Sequence, residues 1–438
     1  LFFIAFHAGK RQSSESYLIS NRNLSTFSGA STISASKFGS ILIMYTGLTY
    51  TYGIDAFWLF AGGALGLFAL IPFTRFLFTS SGSSRQSLYT QSHFIRNKFP
   101  GYSGRLASVI STIGMIGFLC INLIVTGKII SALTPIDYTT ATAPAALIIY
   151  AYIALSGFSA VIKTDVFQFV AVVLILLVFV LFLGADYKPE DIVWAGTQPA
   201  DLKTILSFFI LGICLPFAQP DIWQRLLAMP DVKTAQRAVF SSAVAYIVVG
   251  GLLAAISLII YTEMPDLDPD TAFIFGLKAL LPVHMGWLLA VVIFSAIMST
   301  VDTYLYTISS NISQDWIESK ASGEEAVSLI RRTAFIVILG ALTISIFVTE
   351  AVNFAFVFVG LYVALAIGVM TFWLWQAMTA KLLTGFFAFS LFAWAFFTIY
   401  PMVTGTLSPK IVLTMLVSSL VAVLVLVISS KVQKRFFS

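Results

Sequence analysis

From residue 26 to residue 430 the chain is a succession of apolar runs parted by short charged connectors. Each run is about 20 residues long, the length an α-helix needs to cross the ~30 Å hydrocarbon core of a bilayer. In that core every backbone N–H and C=O must be satisfied within the protein, so runs of this length are read as helices. Twelve can be drawn, at about 26–48, 54–77, 103–134, 143–161, 164–184, 204–228, 235–261, 285–316, 326–349, 352–375, 380–400 and 411–430. The opening residues LFFIAFHAGKR read as the end of one more helix, with residues 1–8 its remnant. The expectation is an all-α polytopic membrane protein of about thirteen transmembrane helices, the first truncated. Composition agrees: 58% of the residues are hydrophobic and 10% charged, too few charges to coat a soluble surface.

The connectors test the count. Nineteen of the 25 Lys and Arg fall in one alternate set, among them Lys10, Arg22, Arg75, Arg96, Arg225, Lys233, Arg331 and Lys434. The opposite set holds Lys188, Lys203, Lys278 and Lys410. Basic loops stay on the cytoplasmic side, which puts the C-terminus there, in a multi-pass protein expected in the cell membrane. Lys37 and Lys128 are left inside spans.

Two spans are interrupted. One opens with FSGASTISASKFGS, residues 27–40; the other is FFILGICLPFAQPDIWQR, residues 208–225. They lie five helices apart, an odd number, so equivalent helices would cross in opposite directions. Paired broken helices in inverted halves point to a secondary transporter with a site near the bilayer midplane.

Several strings then resemble the sodium/solute symporter family. They are SSESYLISNRNLS (13–25), SGFSAVIKTDVFQ (156–168), PDIWQRLLAMPDVKTAQRA (220–238) and SAIMSTVDTYLYTISSNISQD (295–315), in the family's order. The resemblance implies a five-plus-five inverted-repeat core, with repeats at 26–184 and 204–375. One helix would precede it, and two peripheral helices and a tail, 380–438, would follow. It also implies sodium-coupled symport by alternating access.

Sodium needs about five or six oxygens in place of its water shell, and unwound carbonyls and hydroxyls supply them without large formal charge. Carried over by motif, the ion site is Ala30 and Ile33, at an expected helix break, with Ala296, Ser299 and Thr300. A second ion site is implied at Asp165, Ser299, Asp302 and Thr303. A carboxylate inside the membrane costs about 2.5–3.5 kcal/mol on insertion scales, which asks for a function. Asp165 has the alternative of an ion pair with Lys163, and Asp302 that of carrying a proton. Lys37 needs either an anionic group on the solute or an internal partner, with Asp302 as the internal candidate. Lys128 binds an anionic solute or reaches the outer interface. Ser36 and Gln219, at the two interruptions, complete the substrate-binding candidates. Two lysines along one path favour a small organic solute that is anionic or zwitterionic and bears a carboxylate.

No Walker motif and no nucleophile motif is present, so neither ATP-driven transport nor an enzyme is expected. His7, His93 and His284 are scattered and make no transition-metal site. No cofactor and no nucleic-acid partner is expected; sodium, a solute and the lipid bilayer are. Cys120 and Cys214 read as packing residues. Tyr45, Tyr50, Tyr52, Phe57 and Trp58 read mainly as an interfacial belt. Two alternatives stay open: a transporter-like sensor feeding a signalling module, and a proton-coupled or uncoupled transporter of the same fold.

Overall fold

The computed structural model describes residues 14–436 except 40, 83, 84, 86, 87, 199, 318–323, 349 and 376. The expected remnant at 1–8 lies outside these residues. Helix follows helix, starting with α1 (Ser14–Ile19), α2 (Thr26–Ala35), α3 (Ile41–Tyr52), α4 (Trp58–Ser81), α5 (Gln91–Lys98) and α6 (Ser103–Leu133). Then come α7 (Tyr138–Leu183), α8 (Leu202–Ala218), α9 (Pro220–Leu227), α10 (Val232–Glu263), α11 (Ala272–Leu280) and α12 (Gly286–Asp315). The chain closes with α13 (Glu324–Phe347), α14 (Ala351–Leu374), α15 (Ala380–Thr404) and α16 (Ile411–Phe436). Among the described residues, nine segments are long and apolar enough to cross a membrane, and α8 with α9 adds a bent tenth.

A recurring Asp-x-x-Thr stretch sets several starts. The carboxylates of Asp137, Asp201 and Asp231 accept from the backbone N–H of Thr140, Thr204 and Thr234 at 2.9–3.0 Å, capping α7, α8 and α10. Asp201 also pairs with Lys410 at 2.9 Å. The Thr204 hydroxyl and then Lys410 hold its carboxyl well below the usual carboxylate range.

Two expected spans, 143–161 and 164–184, meet without a loop, as two helices joined at a kink within α7. The break between them is at Gly157 rather than at a connector near Lys163. Gly157 has φ 61° and ψ −177°, a conformation essentially reserved for glycine. Lys163 is on the helix and exposed.

Helices α4 and α8 meet backbone to backbone. A Cβ at Gly62 or Gly66 would stand 2.1 or 2.6 Å from the carbonyl oxygens of Phe209 and Ile213. A Cβ at Gly212 would stand 2.4 Å from the Gly63 nitrogen. Small residues one helical turn apart permit this approach, which in lipid substitutes for a hydrophobic driving force. The same tight packing fixes α8, and the chain that continues from it as α9 lies against α2. Tyr45 and Tyr50 belong to this core rather than to an interfacial belt: both are buried, edge-on to Phe60 and Tyr261. Trp58 is exposed, as a belt residue should be. Cys120 and Cys214 are free and buried.

Candidate functional site

Helix α2 runs unbroken through Ala35, so the interruption begins at Ser36 rather than between Ala30 and Ile33. The small residues of ASTISA favour close packing but do not themselves stop a helix. Termination comes where Ser36 turns its hydroxyl back to the Ile33 carbonyl, at 3.1 Å, and competes with the backbone. The N–H groups of Lys37 and Phe38 then close tight turns onto Ser34 O and Ala35 O, at 3.0 and 3.1 Å. The second interruption is at Gln219, whose extended backbone (φ −77°, ψ 116°) follows from Pro220 behind it. Pro220 opens α9, where a missing N–H costs nothing, and α8 and α9 bend by 43°.

The two breaks face each other through charges. Lys37 Nζ lies 2.8 Å from Asp221 Oδ2, and the Ser36 hydroxyl donates to the same oxygen at 3.0 Å. Asp221 stands in the first turn of α9, the positive end of its dipole; Lys37 stands just past the negative end of α2. Each half-helix end therefore meets a fixed charge of opposite sign. Lys37 is thus partnered by Asp221 and not by Asp302.

One turn further along α9, Arg225 is wholly buried. Its Nη2 donates to Asp165 Oδ2 at 3.0 Å and to Thr303 Oγ1 at 2.8 Å. Its Nε donates to Thr32 Oγ1 at 2.8 Å, and Nη1 donates to the Asp221 carbonyl at 3.1 Å. Thr32 in turn donates its hydroxyl proton to Asp165. Asp165 is therefore buried and bound to Arg225, and the alternative pair with Lys163 does not form among the described residues. Arg225 is a core residue, not a connector charge. Sequence position misplaced it, because it sits where a span should be ending. The available signal was the spacing of Asp221 and Arg225, four apart on one helix face within apolar neighbours. Asp221 and Thr32 were missed with it.

The two hydroxyls on α12 meet the end of α2. Ser299 Oγ lies 3.2 Å from Ala35 O and 2.9 Å from Ala296 O; Thr300 Oγ1 donates to Ala296 O at 3.2 Å. A Cβ at Gly39 would stand 2.2 Å from Thr300 Oγ1, so the interruption itself lies against that hydroxyl. Ala296, Ser299 and Thr300 are thus together, with the Ile33 and Ala35 carbonyls at the adjoining helix end. The Ala30 carbonyl lies nearly a turn earlier and accepts from Ser242 of α10 at 3.1 Å. Ser299 turns toward this group, whereas Asp165 and Thr303 are joined by Arg225. Asp302 is buried, and neither of its carboxylate oxygens has a hydrogen-bond partner among the described residues. Gln219 is buried with its Oε1 unpartnered, and so is the second oxygen of Asp221. Lys128 is remote from this cluster in its bonding: it pairs with Asp270, just before α11, at 2.5 Å. Among the described residues no group of three His, Cys, Asp or Glu could hold a metal ion.

The fold has solved counterparts. A structure of a sodium-coupled sialic acid symporter, substrate-bound and outward-open, superposes with a TM-score of 0.66 at 15% identity, covering 96% of this chain and 95% of that one. Mhp1, a nucleobase-cation-symport-1 family transporter in a closed conformation, gives 0.60 at 14% identity, over 94% and 95%. By sequence, the high-affinity proline transporter PutP of Bacillus subtilis is 27% identical over 379 residues, 79% of this chain and 78% of the relative. Sodium/proline symporter 2 of Staphylococcus saprophyticus is 24% identical over 382 residues, 79% and 73%. Residues 17–381 match the sodium:solute symporter family from end to end of the helical core just described, and this integral, multi-pass membrane protein belongs to that family.

Proposed function

We propose that the chain carries out sodium-coupled symport of a small carboxylate-bearing, zwitterionic solute by alternating access, in the cell membrane with its C-terminus in the cytoplasm. The observation that carries the reading is the meeting of Ser299 and Thr300 with the C-terminal end of α2. Sodium is held by Ala296, Ser299 and Thr300 together with carbonyls of α2. Ile33 and Ala35 are the nearer pair of carbonyls, and Ala30 lies one step deeper. Carbonyls at a half-helix C-terminus carry partial negative charge, which suits a small dehydrated cation. Bound there, sodium ties α2 to α12, holding the first repeat (26–184) against the second (204–375); 380–438 stays peripheral.

The solute docks between the two breaks, where Ser36, Lys37, Gln219 and Asp221 converge. Its carboxylate takes Lys37, and the unpartnered acceptors on Gln219 and Asp221 suit its ammonium or imino group. Such a solute replaces the internal ion pair by two intermolecular ones, so no charge is left bare in the membrane. Lys128, held by Asp270, lies on the way in. Coupling follows from linkage: sodium and solute each raise the other's affinity by the same factor.

The proline transport named for the relatives makes L-proline the first solute to test. Uptake of radiolabelled L-proline and other amino acids into proteoliposomes, with and without an inward sodium gradient, decides the matter. Gradient-dependent accumulation is expected. Flux indifferent to sodium would replace this reading with the proton-coupled or uncoupled transporter, and absence of flux with the sensor.

A further inference from the structure

We infer that Arg225 fills, as a tethered cation, the place between Asp165 and Thr303, so that the chain binds one sodium ion rather than two. The inference rests on the sodium reading above and concerns how many ions that reading admits.

Of the four groups implied for a second ion, Asp165, Ser299, Asp302 and Thr303, three are engaged elsewhere. Arg225 Nη2 lies 3.0 Å from Asp165 Oδ2 and 2.8 Å from Thr303 Oγ1, bridging two of the four. A third, Ser299, has turned its hydroxyl to Ala35 O and Ala296 O on the other side. A sodium ion would need the same oxygens at still shorter range than the guanidinium nitrogen has them.

The guanidinium is also fixed in place. Its Nε is spent on Thr32, its Nη1 on the Asp221 carbonyl, and its carboxylate partner accepts from Thr32 as well. A rigid fork with every nitrogen engaged cannot rotate aside as a lysine could. The charges agree. Lys37 and Arg225 face Asp221 and Asp165, two cations against two carboxylates, all buried or nearly so. The chain thus brings its own positive charge to a place where a free ion would otherwise be needed.

The test counts ions without needing the solute. Purified full-length chain in detergent micelles is equilibrated with radioactive sodium, and bound ions per chain are measured to saturation. Wild type is expected to bind one, with a simple hyperbolic isotherm. Arg225→Gln frees Asp165 and Thr303 to a cation and is expected to bind two. The double variant Arg225→Gln/Asp165→Asn removes both charges of the pair, which protects folding, and is expected to return to one. Two ions on the wild type, lost one at a time on Ser299→Ala and Asp165→Asn, would overturn the inference and leave the sodium reading standing. A count that stays at one in Arg225→Gln would show that the guanidinium is not what excludes the second ion, and would also overturn it. No saturable sodium on any variant would remove the sodium reading and the inference with it.

Discussion

Asp221→Asn and Lys37→Met break the same 2.8 Å ion pair, yet the structure assigns them unequal costs. Removing the carboxylate leaves the Lys37 ammonium with no ion-pair partner among the described residues, its side chain only 10% exposed. Stranding a buried charge in this way costs about 3–5 kcal/mol. Removing the ammonium instead leaves Asp221 with one hydrogen-bond donor and one ion-pair partner. The Ser36 hydroxyl is at 3.0 Å and Arg225 Nη1 at 3.6 Å, so the expected cost is about 1–3 kcal/mol, that of one lost charged hydrogen bond. The double variant Lys37→Met/Asp221→Asn removes both charges and is expected to be more stable than Asp221→Asn alone, by about 2 kcal/mol, or more than tenfold in the folding equilibrium. Denaturant titration of the purified chain in mixed micelles, followed by tryptophan fluorescence, measures all three against wild type. If Lys37→Met proved the costlier single change, or the double variant lost the sum of the two, the pair would not be the closed electrostatic unit described.

Three further outcomes are expected. Ser299→Ala with Thr300→Ala should abolish sodium-dependent uptake in proteoliposomes with little loss of folded protein by size-exclusion chromatography; wild-type kinetics would refute the ion assignment. Gly212→Ala places a methyl 2.4 Å from the Gly63 nitrogen and 2.5 Å from the Leu59 carbonyl oxygen, both backbone atoms that cannot give, and should cost about 3 kcal/mol. Gly251→Ala, facing open space, is the control and should be neutral or mildly stabilising in the same titration. Burial on α5 pushes the His93 imidazole down to about 4 from its ordinary 6.5. The unfolded chain therefore binds the extra proton first, and stability should fall as pH drops from about 6.5 toward 4. His93→Gln should flatten that part of the pH–stability profile; an unchanged slope would reject the assignment.

The spans were legible in the sequence because hydrocarbon leaves little choice. Apolar length and the alternation of basic connectors report on the same constraint from two sides, and helices lie beneath every run from residue 26 onward. The break at Gln219 was legible through Pro220, whose covalent geometry acts locally. The break after Ala35 was placed a turn early. Nothing local stops a helix in GASTISA, and the stop depends on Ser36, whose side chain is shared with Asp221 from another helix. The break at Gly157 was placed too late along the chain, near Lys163, because a single glycine in an apolar run looks like packing until its φ is known. The largest omission, the Lys37–Asp221–Arg225–Asp165 chain, has a common cause. A charge near a span end reads as solvated unless its partner is seen. Here the partners lie 60 and 184 positions away in sequence, so no window along the chain contains them.

The glycine contacts between α4 and α8 have a mechanical consequence. With Gly62 and Gly66 pressed on carbonyls of the facing helix, and Gly212 pressed on its backbone, neither rod can slide or roll without collision. The two must travel as one beam, carrying α9 and its charges with them, and whatever swings open must do so along seams held by softer contacts. A covalent tie across α4 and α8 should leave such motion free, while a tie from α2 to α12 would lock it.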